Sequence, residues 1–265
     1  MTHKVFVYLP PVTYSAGMDA LSNAETVVDS GLGFLPIAFP KVTSMSRKGK
    51  SVEYVHDDTG RKKWFLLMAG HSREDKAADV LIAMNIYAYV PRRRIVREVN
   101  GRPKGDFVNL LPNFVFAYLT REEADFFVKG PYKDEDSYSR FKLLPDELRK
   151  DILELSTFLT YYYDHFRWED GRNPPIEIPQ HDMRNLIFST RTNNENVMLL
   201  HRGDEYKFKS DEEVLVVDGE FKGVTGKVIR VARQQRVLIE IAGQFMLATA
   251  YVPTAFLRKV DSCQS

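Results

Sequence analysis

Side chains able to do bond-making chemistry are scattered in this chain. His3, His56, His71, His165, His181 and His201 show no H-x-x-x-H spacing, and no paired cysteines complete a metal site. The single cysteine, Cys263, excludes an intramolecular disulfide and fits a reducing compartment. Walker, G-x-G-x-x-G and G-x-S-x-G patterns do not occur, so phosphate-loop, dinucleotide and nucleophile-elbow chemistries lack support. Asp164-His165 with Asp182 imitates an acid–base set, but no nucleophile or pocket is specified beside it, and turn or capping roles suit these residues better. The expectation is a non-enzymatic protein with no cofactor.

Binding chemistry is better represented. Arg92, Arg93, Arg94, Arg97, Arg102 and Lys104 form a basic stretch with only Glu98 and Asp106 nearby, able either to track phosphates or to stand as a solvated hairpin. The whole chain carries a net charge of only +1, so a nucleic-acid contact has to come from such local patches. Lys227, Arg230, Arg233 and Arg236 form a second basic group. Between Asp218 and Val228, Gly219 suits the positive φ of a tight turn, and Gly223 and Gly226 let a loop pass close to a strand. Phe221, at the tip of that loop, either caps a barrel or anchors a protein partner from an exposed position.

These residues need a scaffold, and 265 residues give about two domains. A 44% hydrophobic, 28% charged composition is that of an ordinary globular protein. The N-terminal apolar stretch ends at Pro10-Pro11 without a signal-peptide core, and no apolar run reaches the ~18 residues of a membrane helix, so a cytoplasmic protein without membrane contact is expected. Lys4 to Leu9 reads as a strand. Val52, Tyr54 and Trp64 to Met68 flank Asp57-Asp58-Thr59-Gly60, a turn that could join an antiparallel hairpin. Ser72 and Asp75 offer a capping box before Ala77, Val80, Leu81 and Met84, one apolar helix face. Tyr87 to Val90 and the aromatic run Leu111 to Leu119 read as strands, and Thr120 with Glu123 opens a further helix. Gly130 to Arg140 reads as a loop. A helix then starts near Pro145, with Leu148, Ile152, Leu155 and Leu159 on one face. Tyr161 to Trp168 looks strand-like, and Gln180 to Thr190 helical. After residue 195 the texture changes to short β segments separated by turns, suggesting a small closed barrel.

The spacing G-x-F-x-G-x-x-G-x-V at Gly219 to Val228 is that of a KOW motif. Upstream, Trp64-Phe-Leu-Leu-Met-Ala-Gly-His-Ser-Arg73, Tyr89-Val-Pro91 and Leu110-Leu-Pro-Asn-Phe-Val-Phe116 stand in the order of the amino-terminal domain of NusG-type transcription elongation factors. The chain resembles that family over roughly residues 62–260. Asn113 stands where general NusG usually has glycine, which is closer to specialised paralogues such as RfaH. Leu247-Ala-Thr-Ala-Tyr-Val-Pro253 with Phe256-Leu257 looks like the UpxY-type antitermination factors of capsular polysaccharide operons.

The resemblance implies an α+β fold: an NGN-type domain with an antiparallel sheet over 61–195, carrying an insertion near 130–159, then a linker over 196–210 and an SH3-like KOW barrel over 211–261. Residues 1–60 form an extension of unassigned role. It implies an operon-specific antitermination factor. An apolar depression whose rim includes Phe65, Leu111, Phe114 and Phe116 would grip the clamp helices of bacterial RNA polymerase. Phe114 and Phe116 share one strand parity and so are expected to share one fate. His71 and Arg73 would touch non-template DNA, with Arg92, Arg93, Arg94 and Arg102 as a second nucleic-acid contact for DNA or nascent RNA. Phe221 and Lys222 would recruit a small-subunit ribosomal protein or Rho. The family's threonine-rich contact to the opposite polymerase pincer has no match at Glu122 to Val128. The alternative is a KOW-containing RNA-binding or ribosome-associated protein without a polymerase role.

Overall fold

The computed structural model describes residues 43–191, 194–201 and 204–260; the strand expected over Lys4 to Leu9, and Cys263, lie outside them. The described chain opens with β1 (Thr43–Met45) and β2 (Ser51–Glu53), which pair with each other. Asp57 then closes a turn: its carboxylate accepts from the Thr59 N–H and hydroxyl and from the Lys62 N–H. These donors, the Thr59 hydroxyl first, hold its pKa down at about 2. The hairpin expected across this turn does not form, because β2 pairs back on β1 while β3 (Lys63–Ala69) enters another sheet. In β3 Trp64, Phe65, Leu66, Leu67 and Ala69 are all buried, so the strand needs cover on both faces and takes a central position.

Helix α1 (Glu74–Ala83) follows and buries Ala77, Val80 and Leu81 as its periodicity requires. Its N-cap is Arg73, not Ser72; Ser72 sits in the left-handed region at φ 53°, so the expected capping box is absent. After β4 (Tyr87–Tyr89), the basic stretch forms β5 (Arg92–Val99) and β6 (Arg102–Asn109), a separate two-stranded arm with register Arg92↔Asn109 to Val99↔Arg102. Strand β7 (Phe114–Leu119) pairs along β3 and β4. At α2 (Arg121–Val128) the expected box closes: the Thr120 side chain accepts from the Glu123 N–H and Glu123 accepts from the Thr120 N–H.

The segment expected to be a loop contains α3 (Glu135–Lys142), started by Asp134, whose carboxylate accepts from the Ser137 N–H at 2.7 Å. Helix α4 (Asp146–Ser156) starts behind Pro145 as expected, but Leu159 belongs to β8 (Leu159–Tyr161) rather than to the helix. The aromatic run leaves the sheet at Tyr161 and becomes a loop that returns at β9 (Glu177–Ile178), and α5 (Gln180–Thr190) follows. The sheet order is β4-β7-β3-β8, with β9 also on β3. Strands β10 (Met198–Leu200), β11 (Lys207–Val216), β12 (Thr225–Val231), β13 (Gln234–Ile241), β14 (Phe245–Ala248) and β15 (Leu257–Lys259) build a second, antiparallel sheet in the order β10-β14-β13-β12-β11-β15. Mixed α/β structure with antiparallel sheets was expected. A closed barrel was also expected, whereas among the described residues no ladder joins β10 to β15.

Register explains how the first sheet is covered. Trp64↔Tyr118, Leu66↔Phe116 and Met68↔Phe114 share one face, and α5 packs there: Trp64 Nε1 donates to Gln180 Oε1 at 3.0 Å, and the Tyr89 and Thr190 hydroxyls meet at 2.5 Å. Tyr54 stacks on Trp64 at 5.6 Å and completes that side. Helices α1, α2 and α4 serve the other face, where the Tyr161 hydroxyl donates to Asp125 at 2.7 Å.

Candidate functional site

The residues expected to bind partners separate into three places. Phe65, Leu111 and Phe116 are at most 1% exposed and form part of the core. Phe114 and Phe116 do share a sheet face, yet their fates differ. Phe116 lies mid-strand between Leu66 and Tyr89, whereas Phe114 is the first residue of β7 and pairs with Met68, which is 38% exposed. Phe114 meets Tyr162 edge-on at 5.2 Å and Phe245, from the start of β14, at 5.1 Å. The C-terminal sheet therefore covers the one rim residue not sealed in the core.

Beside Phe114 lies the second place. Asn113 holds φ 69°, a left-handed position that glycine or asparagine tolerates. Its side chain adds a function glycine lacks: Oδ1 accepts from the Ser72 N–H at 2.8 Å, while its carbonyl accepts from the Ala69 N–H at 2.7 Å. This props a loop in which His71 and Ser72 are both left-handed, at φ 61° and 53°. His71 projects into solvent; Arg73 donates to the Gly70 carbonyl at 3.0 Å and lies over the Phe158 ring at 3.9 Å. The structure thus sets His71, Arg73 and Phe114 around one residue, Asn113.

The arm is the third place. Asn100-Gly101, at φ 53° and 71°, make its tight turn. At its base the side chains of the Arg92↔Asn109 pair are both held by the first turn of α1: Arg92 Nη2 is 2.6 Å from Asp75 Oδ1, and Asn109 Nδ2 donates to Glu74 Oε1 at 2.6 Å. Arg94 and Arg102 are exposed along the arm and Arg93 is half-buried near the base. Alternation splits the cations: Arg94 shares a face with Phe107, and Arg97 with Lys104.

In the C-terminal sheet Phe221 is buried at 4% exposure, while its neighbours Glu220 and Lys222 reach solvent. The glycine spacing there has a steric cause: a Cβ on Gly226 would stand 2.0 Å from the Leu238 carbonyl oxygen. The sheet docks on α5 through Thr225, whose N–H donates to Asn185 Oδ1 at 3.0 Å and whose hydroxyl lies 2.7 Å from His181 Nε2. Asp182 accepts from the Ala242 N–H at 2.7 Å. Asp164 and His165 belong to the loop after β8, where the Asp164 carboxylate accepts from the Phe166 N–H at 2.9 Å instead of partnering His165 or Asp182. Among the described residues no group of three or more His, Cys, Asp or Glu is placed to hold a metal ion, and no helix is long and apolar enough to cross a membrane.

Sequence reasoning missed Tyr162 and Phe245 as neighbours of Phe114. Tyr162 was hidden in a run of three tyrosines, and Phe245 is distant in sequence. Residues 62–137, from β3 into α3, match the family model described as "Transcription termination factor nusG", so this segment is similar to proteins of that family. No curated protein matches the chain.

Proposed function

We propose that the protein is a transcription elongation and antitermination factor that acts on bacterial RNA polymerase. The observation that carries this reading is the NusG-type match over residues 62–137, because it spans both the His71–Arg73 loop and Phe114. In this reading Phe114 with Tyr162 forms the apolar contact for the polymerase clamp helices, with Phe65, Leu111 and Phe116 supporting it from the core. A helical hairpin received by a few aromatic side chains is a recurrent recognition mode. Preferential binding to the elongating state then shifts the population away from paused, open-clamp states.

His71, Arg73 and the arm residues Arg92, Arg93, Arg94 and Arg102 serve the non-template DNA or the nascent RNA, Arg92 mainly by fixing the arm. The Phe221–Lys222 loop recruits a small-subunit ribosomal protein or Rho, with Lys222 at the surface and Phe221 beneath it. The asparagine at position 113 and the Leu247–Pro253 ending favour an operon-specific factor of the capsular or surface polysaccharide type.

The test is in vitro transcription by purified RNA polymerase on a template bearing a pause and a terminator. The wild-type protein should raise read-through, and Phe114→Ala with Tyr162→Ala should abolish the effect while circular dichroism reports an intact fold. Phe116 is unsuitable for this purpose, since its removal would damage the core. Absence of both read-through and co-migration of the wild-type protein with the elongation complex would overturn the reading.

A further inference from the structure

The loop between β8 and β9 exposes more aromatic surface than its surroundings account for. Phe166 is 82% and Trp168 71% exposed. The loop holding them is nevertheless tightly built. Asp164 Oδ1 accepts from the Phe166 N–H at 2.9 Å, the Asp164 N–H donates to the Pro174 carbonyl at 2.8 Å, and Asn173 Nδ2 donates to the carbonyls of Asp164 and Arg167, both at 2.8 Å. Glu169 and Arg172 exchange backbone hydrogen bonds around the turn at Asp170-Gly171. Two large rings are thus presented at little further ordering cost, which is what a binding anchor requires.

The charge of the loop selects the kind of partner. Within the loop Asp164, Glu169 and Asp170 outnumber Arg167 and Arg172, Arg167 being ion-paired with Glu169, and the neighbouring Glu177 on β9 is ion-paired with Lys63 at 2.8 Å. A cavity of about 300 Å³ beside the loop is lined by Asp164, Glu169 and Glu177 together with Arg167, Pro174 and Ala242. An apolar protein segment carrying Lys or Arg complements this carboxylate-bearing lining better than a phosphate does. The loop also continues an aromatic series: Phe114 meets Tyr162 at 5.2 Å, and Tyr162 meets His165 at 6.1 Å.

We propose that the Tyr162–Pro175 loop is a second anchor for the polymerase segment that meets Phe114, with Phe166 and Trp168 packing among its apolar side chains and one of its basic residues entering the carboxylate-lined cavity. This rests on the polymerase-binding reading and adds to it residues outside the matched segment.

The experiment titrates the full chain against core RNA polymerase in parallel for the wild type, Phe114→Ala, Phe166→Ala with Trp168→Ala, Trp168→Phe and Glu177→Gln. The double variant should lose tenfold or more in affinity with an unchanged thermal midpoint, Trp168→Phe should keep most of the affinity, and Glu177→Gln should lose a few-fold with a weaker salt dependence. Wild-type affinity in the double variant, together with impairment of Phe114→Ala, overturns the anchor and leaves the polymerase reading standing. Failure of the wild type to bind polymerase overturns both. A double variant that loses affinity only for a single-stranded oligonucleotide, or that only abolishes self-association in sedimentation, assigns the loop to another occupant and overturns the proposal.

Discussion

Two hairpins in this molecule share turn chemistry and differ in everything else. The β5–β6 arm turns at Asn100-Gly101 with φ 53° and 71°; β13–β14 turns at Ala242-Gly243 with φ 47° and 67°. Both therefore use positive φ at two successive positions, the condition for a tight antiparallel reversal. Leu238, Ile239, Ile241, Leu247 and Ala248 are buried in the second, and its tip is fixed by the Asp182 carboxylate and the Phe114 ring. The first exposes Val96 and Phe107 at 53% and 42%, and its side chains are gripped at the Arg92↔Asn109 base. The turn sets the reversal, while side-chain composition decides whether a hairpin becomes wall or arm.

Removing aliphatic bulk from each hairpin in turn separates wall from arm with the largest expected effect. Ile239→Ala in β13, at 1% exposure, should destabilise by about 2–5 kcal/mol through lost burial and the cavity left behind. Val96→Ala in the arm should change stability by no more than about 0.5 kcal/mol. Urea unfolding midpoints measure both. Similar losses at the two sites would mean that the arm is packed against something, contrary to its separate two-stranded sheet.

A smaller effect belongs to the tip of the buried hairpin. Phe245→Ala removes one ring contact from Phe114 while leaving Tyr162 in place, and should cost about 1–3 kcal/mol, the ring pair and the lost burial of a half-buried side chain together. Its larger consequence concerns access. With Phe245 gone, Phe114 is uncovered, so polymerase affinity should rise in a titration even though stability falls. Equal or lower affinity would show that the β13–β14 tip does not compete for that surface.

The sequence spoke clearly where burial is continuous or a cap is local. Residues 64–69, the Thr120–Glu123 box and the α5 segment follow from apolar runs and a three-residue spacing. It misled where two outcomes share a local signal. Asp57 to Gly60 is a real turn, but the partner of β3 was chosen by its need for cover on two faces, which no turn residue encodes. Tyr161 to Trp168 has the aromatic content of a strand, yet past Tyr161 the chain bonds to its own return leg, with the Asp164 N–H on the Pro174 carbonyl and Asn173 Nδ2 on the carbonyls of Asp164 and Arg167. At the candidate site, Phe114 and Asn113 were visible as a motif. Their neighbours Tyr162 and Phe245 were not, since contact across 48 and 131 positions is a tertiary fact.

The smallest change in stability, and the sharpest functional separation, is expected in the arm itself. Arg94 and Arg102 lie in solvent, so Arg94→Gln with Arg102→Gln removes charge without disturbing packing. Arg94 also rests its guanidinium over Gly105, 3.0 Å from where a Cβ would stand, and glutamine still fits that space. The unfolding midpoint should therefore stay unchanged. Single-stranded nucleic-acid affinity, if the arm tracks phosphates, should lose salt dependence by a slope of about 1.4, about 0.7 for each phosphate contact given up. The same pair of measurements on Arg92→Gln separates positioning from contact. Arg92 is ion-paired with Asp75, and at 39% and 34% side-chain exposure that pair is worth less than about 1 kcal/mol. Its loss should speed hydrogen exchange along β5 and β6 and weaken binding while leaving the salt slope near its wild-type value. An arm residue that touches phosphate changes the slope; one that aims the arm changes only the affinity.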